Sequence, residues 1–181
     1  MPDYLTKEQS AFLMYLTSLN TDANRGTLAV LRRGLAGNPI EDLNLYRFVA
    51  WHIPDSDRGT VRESAYYLVA ALYALHPLST DAENLGGHMK LAAQRRNDVE
   101  AAERRFTVLL NASMTDLAMP LRQAMTMLKQ LVLPVNWTAL FAGLLHWDNP
   151  DKVVQRAWAN SFWAYDNRAE NETTNQPVEN K

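Results

Sequence analysis

SAYYLVAALYAL, residues 64–75, decides the fold. Only Ser64 in this run is polar, and it holds neither glycine nor proline. It is too long for an ordinary strand of about 5–6 residues and shows no alternation. It therefore reads as the second half of a helix over 58–75, buried on all sides and stopped by Pro77. A helix that is apolar all round must be covered by other helices, and the neighbouring sequence supplies them.

Thr6 and Gln9 have capping-box spacing, and Phe12, Leu13, Leu16 and Leu19 form a stripe behind them, which predicts a helix over 7–19. A second, over 22–35, carries Leu28, Leu31 and Leu35, with Gly37 where a C-terminal cap belongs. Asn38 and Pro39 predict the start of a third, with Leu43, Tyr46, Val49 and Ala50 facing inward and Pro54 ending it. PLSTDAENLGG, residues 77–87, reads as a loop and as the junction between two lobes, about 1–80 and about 85–167. Further helices are predicted over 88–95, over 98–110, and from Ser113 or Thr115 past Pro120 to 133. Two more run from Asn136 through Leu145, and from Asn149, with Pro150 in first position, through Phe162. Residues 168–181, RAENETTNQPVENK, have no apolar face and are expected to form a disordered tail.

The 181 residues, 47% hydrophobic and 21% charged, suffice for one all-α domain or two small helical lobes around an apolar core. Cysteine is absent, which excludes disulfides, thiolate metal sites and cysteine nucleophiles, and suits a reducing, cytoplasmic setting. The opening MPDYLTKEQSAFLMYL lacks the basic start and cleavage site of a secretory signal, and no apolar stretch reaches the roughly 20 residues that span a bilayer. A net charge of −2 argues against a histone-like protein that binds nucleic acid through bulk charge. The charge is uneven, however. Residues 90–129 hold seven basic side chains (Lys90, Arg95, Arg96, Arg104, Arg105, Arg122, Lys129) against four acidic ones, whereas the stretch from Asp148 onward holds six acids against four bases.

Catalytic patterns are missing. His52, His76, His88 and His146 lie far apart, without the i, i+4 pairing of a helical metal site. There is no Gly-x-Ser-x-Gly elbow and no Walker loop, and Gly86-Gly87 lacks the preceding strand of a phosphate cradle. The carboxylates Glu41/Asp42, Asp55/Asp57 and Asp81/Glu83 fall at helix starts or in polar loops, where capping and solvation explain them better than a metal-dependent nuclease does. No enzymatic activity, metal, cofactor or small-molecule substrate is expected. Trp51, Trp137, Trp147, Trp158 and Trp163 invite base stacking, but the amphipathic patterns around Trp137, Trp147 and Trp158 favour core packing.

The arginines admit two readings. Arg32 and Arg33 end one helix, Arg104 and Arg105 centre another, and Arg122 precedes Lys129 by two turns on a third. A guanidinium suits phosphate because its planar fork donates paired hydrogen bonds and stays charged. Solvated helix faces, with Glu100 or Glu103 as partners, explain the same residues, and on the residues alone this blander reading is the stronger.

An ordered set of segments bears on that choice: LAVLRRGL at 28–35, YRFV at 46–49, NLGGHMKLAA at 84–93, VEAAERRFTVLLNA at 99–112, PLRQ at 120–123 and VNWTALFAGLLHWD at 135–148. Over roughly residues 5–165 the chain resembles the CasB family, the small subunit of the type I-E CRISPR surveillance complex, Cascade. The resemblance implies an all-α fold of two packed helical bundles and a non-catalytic subunit present in two copies. Its partners would be the backbone and large Cascade subunits, a second copy of itself, crRNA and target DNA. In the family, basic residues follow the crRNA and target path and hold the displaced strand, so that the R-loop stays open. By motif position that role falls on Arg33, Arg105 and Arg122, with Arg32 and Arg104 as companions and Arg25, Arg47, Arg95, Arg96 and Lys129 by weaker alignment. The competing reading is a helical protein–protein adaptor with no direct nucleic-acid contact.

Overall fold

The computed structural model describes residues 5–39 and 41–163. Among the described residues there are nine α-helices and no strand: α1 Lys7–Ser18, α2 Arg25–Arg33, α3 Leu43–Val49, α4 Val61–Leu75, α5 Leu85–Arg96, α6 Val99–Asn111, α7 Ala118–Gln130, α8 Trp137–Leu145 and α9 Val153–Trp163. The expected tail, 168–181, lies outside them.

The apolar run 64–75 falls in α4. The start of this helix is set by Thr60, whose Oγ1 accepts from the Arg62 backbone N–H at 3.2 Å, and by Glu63, which accepts from the Gly59 N–H at 2.6 Å. It therefore begins at Val61, not at 58. Residues 65–74 are all buried, and α2, α3, α7 and α8 cover them. Each large apolar side chain among them contributes about 1.5–3 kcal/mol. At the crossing with α1 and α8 the rings of Phe12, Tyr66 and Phe141 meet, with centroids 4.9 to 5.5 Å apart.

Asp57, expected to be solvated, is only 1% exposed. Its carboxylate accepts from the Tyr66 hydroxyl at 2.8 Å and from the Gln9 amide at 3.3 Å, and pairs with Arg62 at 3.5 Å. A buried charge is tolerable only when it is bonded in this way. The carboxylate thereby ties α1, the turn before α4 and α4 itself together.

The helices of the second half pack more closely. A Cβ on Gly86 would lie 1.9 Å from the Trp158 carbonyl oxygen, so the backbones of α5 and α9 touch there. The Asn84 amide, which caps α5, also donates to Ser161 Oγ at 2.8 Å. The glycine pair thus serves helix packing. Residues 77–84 do form a loop, but a pinned one: Thr80 N–H donates to the Val135 carbonyl and Val135 N–H to the Leu78 carbonyl, each at 3.1 Å. Two buried histidines hold the same seam. His76 Nε2 lies 2.6 Å from the Leu133 carbonyl, and His88 Nε2 accepts from the Asn136 N–H at 3.1 Å.

Several helix starts differ from expectation. A proline is compatible with a first turn but does not create one, and side-chain caps mark the starts of α3 and α5. Asp42 accepts from the Asn44 N–H at 3.0 Å, so α3 starts at Leu43 and not at Pro39. Its buried residues are then Leu45 and Val49, while Leu43 and Tyr46 point outward instead of inward. α5 starts at Leu85 rather than at His88, because Asn84 caps it. Ser113 bonds Asp116 in a turn, and α7 starts at Ala118 with Pro120 in its first turn, where a missing N–H costs nothing. Asn149 folds back on the Asp151 N–H at 2.9 Å, and α9 starts at Val153, not at Pro150.

Two outcomes follow from this packing. Gly86→Ala should destabilise the protein by about 3 kcal/mol in denaturant unfolding, at the upper end of overpacking because the obstacle is backbone. Gly26→Ala, with open space around it, should be neutral or stabilising by up to about 1 kcal/mol. Burial lowers the pKa of both His76 and His88, and protonation of His88 would remove the acceptor that meets Asn136. Between that lowered value and the ordinary one of about 6.5 the unfolded chain binds more protons. Stability is therefore full above that range and falls with pH through it. Thermal unfolding should show Tm dropping from pH 7.5 to pH 5, with a shallower fall in His88→Gln; an identical fall in both would remove His88 as the cause.

Candidate nucleic-acid interface

α5 and α6 are joined by a tight turn. Asn97 adopts the left-handed conformation (φ 51°) that ends α5, and Asp98 caps α6 by accepting from the Ala101 N–H at 3.3 Å. The two helices form a hairpin, and α7 lies against both. Between the three runs a groove of about 460 Å³, and Arg96, Arg105 and Arg122 come together along it. Its floor is apolar: Met89, Leu109 and Met127 are buried, while the three arginines are exposed.

Their bonding differs. Arg105 has no hydrogen-bond or ion-pair partner among the described residues, and Arg96 makes one long contact, 3.5 Å, to the Gln130 side chain. Arg122 donates from Nη1 to the Leu35 carbonyl at 2.8 Å. Leu35 belongs to the 3-10 turn Gly34–Ala36 that follows α2, so this bond brings the end of α2, with Arg32 and Arg33, to the groove's α7 side. Arg32 donates to the Ala74 carbonyl at 3.0 Å and helps fix α2 on α4. Arg33 is exposed and has no partner among the described residues.

The other expected residues are placed differently. Arg104 pairs with Glu100 at 2.5 Å, one turn back on α6, as a solvated helix face would. Arg25 starts α2, at the opposite end from Arg33, and pairs with Asp22 at 2.7 Å. Arg47 is on α3, its guanidinium 4.6 Å from the Phe48 ring centroid. Arg95 and Lys129 lie in the last turns of α5 and α7, where a cation also offsets the helix dipole.

A larger cavity of about 860 Å³ lies between α8, α9 and the 81–84 segment, but its charged lining is Asp81 and Glu83, which repel phosphate. Among the described residues no group of three histidine or acidic side chains is placed to hold a metal ion, and no helix is long and apolar enough to cross a membrane. Of the tryptophans, Trp137, Trp147 and Trp158 are buried as expected; Trp51 is 83% exposed, and Trp163 is half-exposed with its indole N–H on Glu103.

The fold and groove define a class: an all-helical protein that, among its described residues, gathers arginines from three helices along a surface groove with an apolar floor. Residues 27–163 match the family model for CRISPR-associated protein Cse2, and the chain belongs to that family. A curated relative, the CRISPR-associated protein Cse2 of Thermus thermophilus, is 30% identical over 137 residues, covering 75% of this chain and 77% of its own. A solved Cse2-family protein, also from Thermus thermophilus, superposes with a TM-score of 0.76 at 28% identity, over 89% of this chain and 100% of that one. CasB from M. ruber gives 0.72 at 28% identity, over 96% and 100%. A chain of a CRISPR RNA-guided surveillance complex shares the fold, with a TM-score of 0.72 at 24% identity over 94% and 98%.

Proposed function

We propose that this chain is a non-catalytic subunit of a CRISPR RNA-guided surveillance complex, and that its α5–α7 groove holds nucleic-acid backbone, crRNA or target DNA, and steadies the displaced strand of the R-loop. The observation that carries the reading is the convergence of Arg96, Arg105 and Arg122 on one groove, with Arg105 unpaired among the described residues and Arg33 exposed at the end of α2, two residues before the Leu35 carbonyl that Arg122 bonds. Membership of the Cse2 family, and the surveillance-complex chain of the same fold, support the setting.

The chemistry suits a backbone and not a base sequence. Guidance by RNA leaves sequence reading to base pairing, so a subunit beside the strands needs cations at phosphate spacing and no element that enters a groove of the duplex. Slight net negative charge is consistent with this role. A subunit that bound any nucleic acid tightly alone would be drawn to unrelated DNA, whereas weak contacts become effective once neighbouring subunits fix their position.

Single-stranded DNA binding by the full chain, followed over a range of salt, tests this. Arg33 and Arg105 bond to nothing among the described residues, so the double variant Arg33→Ala/Arg105→Ala should keep the wild-type Tm. The slope of log affinity against log salt should drop by roughly 1.5, at about 0.7 to 0.9 for each phosphate no longer neutralised. Arg25→Ala, at the far end of α2, should change it far less. Equal slopes and affinities for wild type and the double variant would show that the groove does not carry nucleic acid.

A further inference from the structure

The outer face of α3 is apolar, exposed and distinct from the arginine groove. Leu43 is 82% exposed, Tyr46 57% and Trp51 83%. All three lie on the solvent side of α3 and of the 3-10 turn Ala50–His52 that follows it, with Arg47 between Leu43 and Trp51 in the chain. At 150–250 Å² for a whole aromatic side chain, the three together leave on the order of 400 Å² of side-chain surface in water.

Trp51 is held out on a fixed backbone. Val49 and Ile53 on either side are buried, and the His52 ring stacks on Tyr15 at 4.0 Å. The Arg58 guanidinium donates to the carbonyls of Ile53 at 3.1 Å and Ala50 at 3.4 Å. No described residue bonds the Trp51 indole, whereas the buried Trp137 and Trp147 each donate theirs to a backbone carbonyl. Arg47 has no carboxylate partner among the described residues.

The charges around the face choose its occupant. Glu41 and Asp42 lie at one end of these residues in the chain and Asp55 at the other, while Asp57 is buried against Arg62 and does not contribute. Asp55 is 94% exposed, in an ion pair with Arg58 that is itself open to water. A phosphate backbone would be repelled there. Tryptophan, tyrosine and arginine around an aliphatic residue are instead the composition of protein–protein hot spots, and acids at the margin complement a basic partner.

We propose that the α3 face docks a different protein subunit of the same complex, not a second copy of this chain, and that this subunit offers Leu43, Tyr46 and Trp51 an apolar pocket bordered by lysine or arginine. The proposal rests on the chain working within a multi-subunit complex, not on the groove's contact with nucleic acid. One surface then grips the strands and the other fixes the subunit beside them.

The test uses the full chain and the guide-RNA-bound complex assembled without it. Trp51→Ala should weaken incorporation at least 30-fold, and Glu41→Lys/Asp55→Lys should slow association. Both should keep the wild-type Tm, and Trp51→Ala should keep the free chain's affinity for single-stranded DNA. A photo-crosslinking phenylalanine analogue at position 46 should couple to a protein subunit. Wild-type incorporation of Trp51→Ala, or a crosslink to nucleic acid, to a second copy or to this chain's own termini, would overturn the docking surface alone. Failure of the wild-type chain to enter the complex would overturn the reading beneath it as well.

Discussion

α4 has no side that tolerates water. With residues 65–74 buried, helices from both halves of the chain must close over it, and α2, α3, α7 and α8 do so. That requirement brings α7 to the end of α2, where Arg122 reaches the Leu35 carbonyl. It also fixes α3 by Leu45, which fills the space against Gly34 that a larger residue would need. The groove between α5, α6 and α7, and the outward face of α3, are consequences of how this one helix is covered. A change that loosened α4 would disturb both surfaces without touching either.

The basic residues divide by what already holds them. Arg32, Arg58 and Arg122 spend donors on backbone carbonyls and act as structural ties. Arg25 and Arg104 are matched by carboxylates on their own helices or turns. Arg33 and Arg105 bond to nothing among the described residues, while Arg122 has further donors left after its bond to Leu35. Sequence position does not separate these groups, because adjacent residues fall into different ones: among the described residues Arg32 is tied down and Arg33 is not, and Arg104 is paired and Arg105 is not.

The limits of legibility in the sequence follow the same division. The helices can be read because apolar spacing is local, and α4 shows itself as a buried helix by composition alone. Helix starts go astray at Pro39 and Pro150, where proline serves as the signal, and at His88, because the local bonds that Asp42, Asn84 and Asn149 make to nearby N–H groups are not ranked by spacing. The convergence of Arg96, Arg105 and Arg122 is invisible in sequence because three helices supply one residue each. Asp57 looks like a loop carboxylate, yet Gln9, from 48 residues away, bonds it. The outward turn of Leu43 and Tyr46 follows from Leu45 and Val49 taking the buried side of α3, Leu45 against Gly34, and with it comes a surface that periodicity assigns to the core.

The central claim is that the α5–α7 groove faces nucleic acid once the subunit is in its complex. Arginine-selective chemical modification of the assembled complex, read by mass spectrometry with and without bound target DNA, tests it directly. The account predicts that Arg105, Arg96 and Arg33 become protected when target binds, while Arg25 stays equally reactive. Equal reactivity of Arg105 and Arg33 in the two states, with target demonstrably bound, would contradict it.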